Sequence, residues 1–195
     1  MIKTRAILKN FINDEKIKYG LNKNSSINIY MLSKIGVESE ILYRLQKRLR
    51  ITEYYFNTQK KIRFILSKVK LKKIEQKYSI NIPINVFDIG LKIMHIGPII
   101  VNINAVVGKN CSIHICTAIA AGGHNSDSPK IGDNVVIGIG AKIIGGVNVP
   151  NGTAVGANAV VNKSFLEENI AIAGVPAKKI SNNGKITWQN IENKF

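Results

Sequence analysis

Acidic residues are scarce in this chain: 12 Asp and Glu stand against 28 Lys and Arg among 195 residues, for a formal net charge of +16. Histidine is scarcer still, with three, and there are only two cysteines, Cys111 and Cys116. The cysteines lie five apart and form no CxxC pair, so the natural expectation is two buried packing residues in a cytoplasmic protein rather than a disulfide framework. No run of 18 apolar residues exists, which excludes a membrane-spanning helix of ordinary length. The first eleven residues hold no uninterrupted apolar core and no small-residue cleavage site, so no signal peptide is expected. Metal-ligand spacing, a Ser-His-Asp arrangement and a phosphate-cradling glycine loop are all missing.

What the sequence does have is a period of six. A branched aliphatic residue returns at Val101, Val107, Ile113, Ile119, Ile131, Ile137, Ile143, Val149, Val155 and Val161, and the gap from Ile119 to Ile131 keeps the phase. Four places further on the residue is usually small: Ala105, Cys111, Thr117, Ala141, Thr153 and Ala159, with Val135 and Val147 as larger members. Six matches neither the 3.6 of a helix nor a meander of long strands. It matches very short strands joined by fixed-angle turns, stacked as a parallel β-helix. The aliphatic residues then point into a narrow prism, and Gly or Asn serves bends that need positive φ. Burial at roughly 25 cal/mol per Å² rewards the stack, and no single coil can bury its own face.

The charge divides the chain. Residues 1–78 carry 19 Lys and Arg against 6 Asp and Glu, and the rest carries 9 against 6. Three parts are expected: a basic α-helical segment over 1–78, the β-helix over 79–180, and a polar tail over 181–195 that contains Trp188. Residues 1–35 have weak periodicity, which predicts short helices or irregular structure. From Glu38, the residues Ile41, Leu42, Leu45 and Leu49 form one helical stripe, with Arg44, Lys47, Arg48 and Arg50 largely off it. A second helix is expected from about Gln59 to Glu75, with Ile62, Ile65, Leu66 and Val69 on its apolar face. Such helices can pack that face on the β-helix and leave a solvated basic face, and a contact with an anionic membrane surface is compatible with this. Nucleic-acid binding is not expected, because no recognition motif or aromatic platform accompanies the charge.

Two stretches break the hexads. Ile80 and Val86 start the repeat faintly in another register, so residues 90–99 must contain a departure. Residues 120–130, AAGGHNSDSPK, lack an aliphatic residue at the inward position (Asn125) and read as a protruding loop. Each break holds a histidine, His95 and His124. A side chain in a break is aimed rather than stacked, and an imidazole titrates near working pH, so His95 is a candidate general base. A turn histidine bonded to its own backbone is the alternative reading. His124 reads as a loop residue or a second catalytic group across a cleft. His114, next to inward Ile113, is expected to be structural, and Asp88 and Asp127 are the nearest carboxylates that could orient a histidine.

The segments GLKIMHIGPIIVNINAVVGKNCSIH, KIGDNVVIGIGAKIIGG and AGVPAKKI resemble the serine acetyltransferase branch of the hexapeptide-repeat acyltransferases over residues 80–180. The resemblance implies a left-handed parallel β-helix, a homotrimer with sites between subunits, acetyl-CoA as cosubstrate, and no metal. It places His95 on the histidine that deprotonates the acceptor hydroxyl, and the loop ending in Pro129 beside the acceptor pocket. Ile139 and Ala157 fall on turns that carry the pantetheine arm, Gly122 and Gly123 on glycines near the thioester, and Lys178 and Lys179 on basic positions near the cofactor phosphates.

The departures from that branch concern acids. Met94 stands where an aspartate precedes the histidine, Ile80-Asn-Ile-Pro83 replaces Asp-Ile-His-Pro, and Ser128 replaces the loop histidine. On that ground the expected function is O-acetylation of a carbohydrate hydroxyl, as in surface polysaccharide biosynthesis. His95 would be the base, with His124 or a backbone carbonyl orienting it, in the cytoplasm or at the inner face of the membrane. Serine O-acetylation, N-acetylation of an amino sugar and a non-catalytic trimeric scaffold are the alternatives.

Overall fold

The computed structural model describes residues 1–21, 36–123 and 127–185, which fall into two compact units, Met1–Ile80 and Asn81–Phe195. The first unit is helical: α1 (Arg5–Lys18), α2 (Glu38–Asn57) and α3 (Lys61–Tyr78). Thr4 starts α1 by accepting a hydrogen bond from the Ile7 N–H at 3.2 Å, a side-chain cap for one of the amides that a helix start leaves over. Residues 1–35 therefore include a regular 14-residue helix, more order than their composition suggests.

The stripe Ile41, Leu42, Leu45 and Leu49 is buried, as the spacing predicts. Two expectations fail here. Arg50, placed off the stripe with the other cations, is wholly buried: its guanidinium donates to Glu15 at 2.7 and 2.9 Å and to Glu53 at 3.0 and 3.2 Å. On α3 the buried line is Ser67, Leu71 and Glu75, whereas Ile62, Ile65, Leu66 and Val69 lie at the surface. The small Ser67 lets α3 approach α2 closely enough for its hydroxyl to meet that of Thr52 at 2.8 Å, so the Ser67–Leu71 side is the one covered.

The second unit is the prism. Its strands are two to four residues long: after β1 (Ile80–Asn81) at the boundary of the units come β2 (Lys92–Ile93), β3 (Ile99–Val101), β4 (Val106–Val107), β5 (Ser112–Ile113), β6 (Thr117–Ala120), β7 (Lys130–Ile131), β8 (Val136–Ile137), β9 (Lys142–Ile144), β10 (Asn148–Val149), β11 (Ala154–Val155), β12 (Val160–Val161), β13 (Ala171–Ala173) and β14 (Lys178–Ser181). They lie on three faces, with orders β10-β7-β4, β14-β13-β11-β8-β5-β2 and β1-β3-β6-β9-β12. Apart from the closing β13–β14 hairpin, the pairings are parallel. This is the left-handed parallel β-helix. Each aliphatic residue of the hexad series is buried, and so are the eight residues of the companion series. The bends use positive φ as the geometry demands: Asn110, Asn134 and Gly152 form one column and Cys116, Gly140 and Asn158 another. Cys116 is therefore an exposed corner residue and not a packing residue, while Cys111 is buried.

Register shows how the breaks are accommodated. Ile131, Ile137 and Ile143 pair with residues 18 further on, Val149, Val155 and Val161. Val107, Ile113 and Ile119 pair with residues 24 further on, so the loop after Ala120 inserts six residues and keeps the phase. Ile93 pairs with Ile113 and Phe87 with Val107, each 20 apart, so the first coil carries two extra residues between Ile93 and Val101. The residue in register there is Phe87, not Val86, because the insertion shifts the phase.

The buried Arg50 cluster gives a sharp test. Burial works against the guanidinium charge, and the two carboxylates more than offset it, so its pKa moves up; burial pushes the Glu15 carboxyl up while Arg50 pulls it down. Arg50→Ala would leave two carboxylates buried without their cation and should cost about 3–5 kcal/mol. Urea unfolding of the full chain followed by far-UV circular dichroism measures it. Arg50→Lys should recover only part, since an ammonium cannot fork to two carboxylates.

Candidate functional site

The prism has three corners, and the candidate residues divide between two of them. The first corner follows the face of β2 (Lys92–Ile93), β5 (Ser112–Ile113), β8 (Val136–Ile137) and β11 (Ala154–Val155). It carries His95, His114, Ile139 and Ala157 on successive coils. The Met94 N–H donates to Ile113 O, the His114 N–H to Ile137 O and the Asn158 N–H to Ile139 O, at 2.8 to 3.1 Å, so the column is fixed by the ladder. The two extra residues of the first coil emerge here as a bend over 95–97.

His95 is exposed on that bend, and the ring of His114, half-buried, lies beside it at 6.0 Å between centroids and 50° between planes. Gly97 fits the bend against its neighbour: a Cβ there would stand 2.9 Å from Cγ2 of Ile115. The histidine pair was not legible in the sequence, where His114 read as structural. Spacing alone does not bring residues 95 and 114 together until the first coil is known to be 20 long. Asp88 turns its Oδ1 onto the adjacent Ile89 amide at 2.7 Å, which holds the turn before β2.

The second corner carries the loop. Gly122 and Gly123 follow β6 (Thr117–Ala120), and the Gly122 N–H donates to Asp127 O at 3.2 Å, closing the loop base. Asp127 packs on Gly146 of the next coil, where a Cβ would meet its own at 2.7 Å. Ser128 donates to Asn102 Oδ1 at 3.1 Å, tying the loop to the coil below. His124 and Asn125 lie outside the described residues, so the expectation that His124 faces His95 is not addressed by the geometry. Within one chain the glycines and His95 are separated by the face of β3 (Ile99–Val101) and β6.

Lys178 and Lys179 are neither in a turn nor past the last strand. They lie in β14 (Lys178–Ser181), antiparallel to β13 (Ala171–Ala173), with Lys179 ion-paired to Glu167. Both partners of that pair are at least a third exposed, so it binds Lys179 weakly. Exposed Ile139 and Ala157, one coil apart, form a continuous edge between the histidine pair and the coil that bears the lysines. Among the described residues no cluster of three His, Cys, Asp or Glu could hold a metal ion.

Fold and repeat define the class of left-handed parallel β-helices built from hexapeptide repeats. Within that class, the chain resembles the serine acetyltransferase branch. It is 29% identical over 181 residues to the serine acetyltransferase of Buchnera aphidicola subsp. Acyrthosiphon pisum, covering 91% of this chain and 63% of the relative. Further curated relatives, 28–37% identical, carry the same name. The chain spans between about half and just under two thirds of the length of the first three, 49% to 63%. Among solved structures, a serine acetyltransferase in complex with CoA superposes with a TM-score of 0.66 at 22% identity, covering 90% of this chain and 71% of that one. The Neisseria gonorrhoeae enzyme in complex with serine gives 0.65 at 21%, covering 91% and 70%. At these identities the structural likeness is one of fold. No family model matches.

These relatives overturn the expectation of a carbohydrate acceptor and of a role in polysaccharide biosynthesis. That expectation rested on three missing acidic or histidine positions. Losing a side chain shows what no longer touches the acceptor and leaves open what replaces it.

The bend invites a packing test. Gly97→Ala should destabilise the chain by about 1–3 kcal/mol through overpacking on Ile115. The double variant Gly97→Ala/Ile115→Ala should lose less than the sum of the singles by at least about 0.5 kcal/mol. Thermal or urea unfolding of the four proteins gives the coupling, and strict additivity would show that the bend does not rest on Ile115.

Proposed function

We propose that this chain is a serine O-acetyltransferase that uses acetyl-CoA. The observation that carries the reading is the single corner on which His95, Ile139 and Ala157 share a register, with His114 beside His95, in a chain whose curated relatives bear that name. His95 takes the proton of the serine hydroxyl as its oxygen attacks the thioester carbonyl. The tetrahedral oxyanion collapses with loss of the CoA thiolate, which is protonated, and O-acetylserine leaves. His114 holds the His95 ring in place, the task that a carboxylate has in the resembling branch. A backbone N–H of the loop, such as that of Gly123, suits the oxyanion.

The cosubstrate runs along the corner. From β2, just before His95, to β14, which bears Lys178, is five strand steps, roughly 24 Å at about 4.8 Å each, a span for an extended pantetheine arm whose phosphates end near Lys178 and Lys179. Acetyl-CoA enters as substrate, and the reading calls for no metal.

The homotrimer belongs to the same proposal. The histidine corner and the glycine loop stand on different corners of one prism, so a site that uses both takes one from each of two neighbouring subunits. Ile100, Ile103 and Val106, all large, apolar and exposed on the first coils, suit such an interface. The compartment is the cytoplasm, where acetyl-CoA is available.

The test is thiol release from acetyl-CoA with L-serine as acceptor. Turnover is expected, with a fall of about 10²–10⁴ in His95→Ala. In His114→Gln the fall should be smaller and lie in kcat rather than in the KM for acetyl-CoA. Absence of turnover together with a melting temperature unmoved by saturating CoA would replace the enzyme with a scaffold.

A further inference from the structure

The helical unit hides its acids. Of six acidic residues in 1–78, Glu15, Glu40, Glu53 and Glu75 are buried. Its surface is therefore more cationic than its composition. On α3 this surface carries an apolar stripe: Ile62, Ile65, Leu66 and Val69 are 77%, 60%, 59% and 51% exposed. At 100° per residue the four fall within about 100° of arc. Arg63, Lys70 and Lys77 border it on one side and Lys61, Lys68 and Lys72 on the other. At the start of α3 an open hollow is lined by Arg5, Gln59, Lys60, Lys61, Ile62 and Arg63, four of them cations beside the first residue of the stripe.

We propose that this face docks on an anionic phospholipid bilayer, with the stripe inserted among the acyl chains and the hollow of four cations receiving headgroup phosphates. An apolar stripe flanked on both sides by Lys and Arg is the pattern of a helix lying in the plane of a charged interface. The alternatives fit less well. A second copy would bring two cationic surfaces together around the stripe, a like-charge juxtaposition that costs several kcal/mol. A nucleic acid backbone would satisfy the lysines and leave the four aliphatic side chains in water. Lys73, inside the arc, can lay its stem along the stripe and keep its ammonium at the headgroups.

The experiment is flotation of the full chain with vesicles of phosphatidylcholine alone or phosphatidylcholine with phosphatidylglycerol, at near-physiological salt. The chain should float with the anionic vesicles and not with the neutral ones. Ile62→Ser/Leu66→Ser should weaken binding at least about tenfold, from lost apolar burial. Lys61→Glu/Arg63→Glu should weaken it similarly. Both variants change exposed residues, so an unaltered melting temperature certifies the fold. Three results would overturn the proposal: no flotation with anionic vesicles, wild-type flotation by the Ile62→Ser/Leu66→Ser variant, or a lipid-free oligomer that dissociates on that substitution, which would give the face to a second copy.

Discussion

A strand of two residues cannot hold itself, and in this prism its hydrogen-bond partners lie only in the coils before and after. Each coil must therefore bring the chain back into register, and the common solution is 18 residues with three aliphatic side chains inside. Everything else about the second unit follows from that closure. Bends must be tight, so Asn and Gly take positive φ in columns, and Asn110 donates to Asn134 at 3.2 Å across the insertion. Where a coil is longer, the surplus cannot enter the packed interior and is expelled at a corner. Two residues leave at His95 and six leave in the loop after Ala120. Those are the two places where a side chain is not required to stack, and the proposed site draws on both.

Rigidity and reach then work together. The His114 backbone is part of the ladder, while His95 sits on a bend that no strand holds. Next to each other, one supplies a fixed position and the other an accessible nitrogen. Ile139 and Ala157 follow on the same corner because the pitch is constant. A straight edge of fixed spacing is a natural bed for a long, flexible cosubstrate, and it needs few specific contacts. The sparse acids of this chain are consistent with a site whose polar work is left to histidines and backbone amides.

The sequence made the prism readable in detail, because each inward position repeats the same environment and one misplaced residue would break the series. The failures share a different character. Val86 was read for Phe87 because a two-residue insertion changes the phase without changing the composition. That His114 lies beside His95 was not legible, because its neighbour in space depends on the length of that insertion. Arg50 was read as solvated because its burial depends on Glu15, 35 positions away and in another helix. On α3 the residues Ile62, Ile65, Leu66 and Val69 do share a face, but periodicity cannot tell which of two apolar sides a neighbour covers; Leu71 and Ser67 took the inside. The acceptor was misjudged because absent acids were taken as a changed substrate, and the loss of a side chain does not by itself name one.

The burial of acids shapes the surface of the helical unit. Neutralising Arg50 consumes Glu15 and Glu53 inside the helical unit, and Glu75, paired with Lys72, is also withdrawn from the surface. The carboxylates that stabilise the interior are thus unavailable to balance the outside, and the surface field grows as the core is satisfied. An isolated apolar stripe of four residues on such a unit would bind a bilayer only weakly. In the proposed trimer three of them would act through effective concentration, and avidity can exceed single-unit affinity by about 10²–10⁴. On the proposed reading, weak docking by each helical unit and trimerisation through the prism would be two halves of one arrangement, each relying on the surface that the helices leave positive.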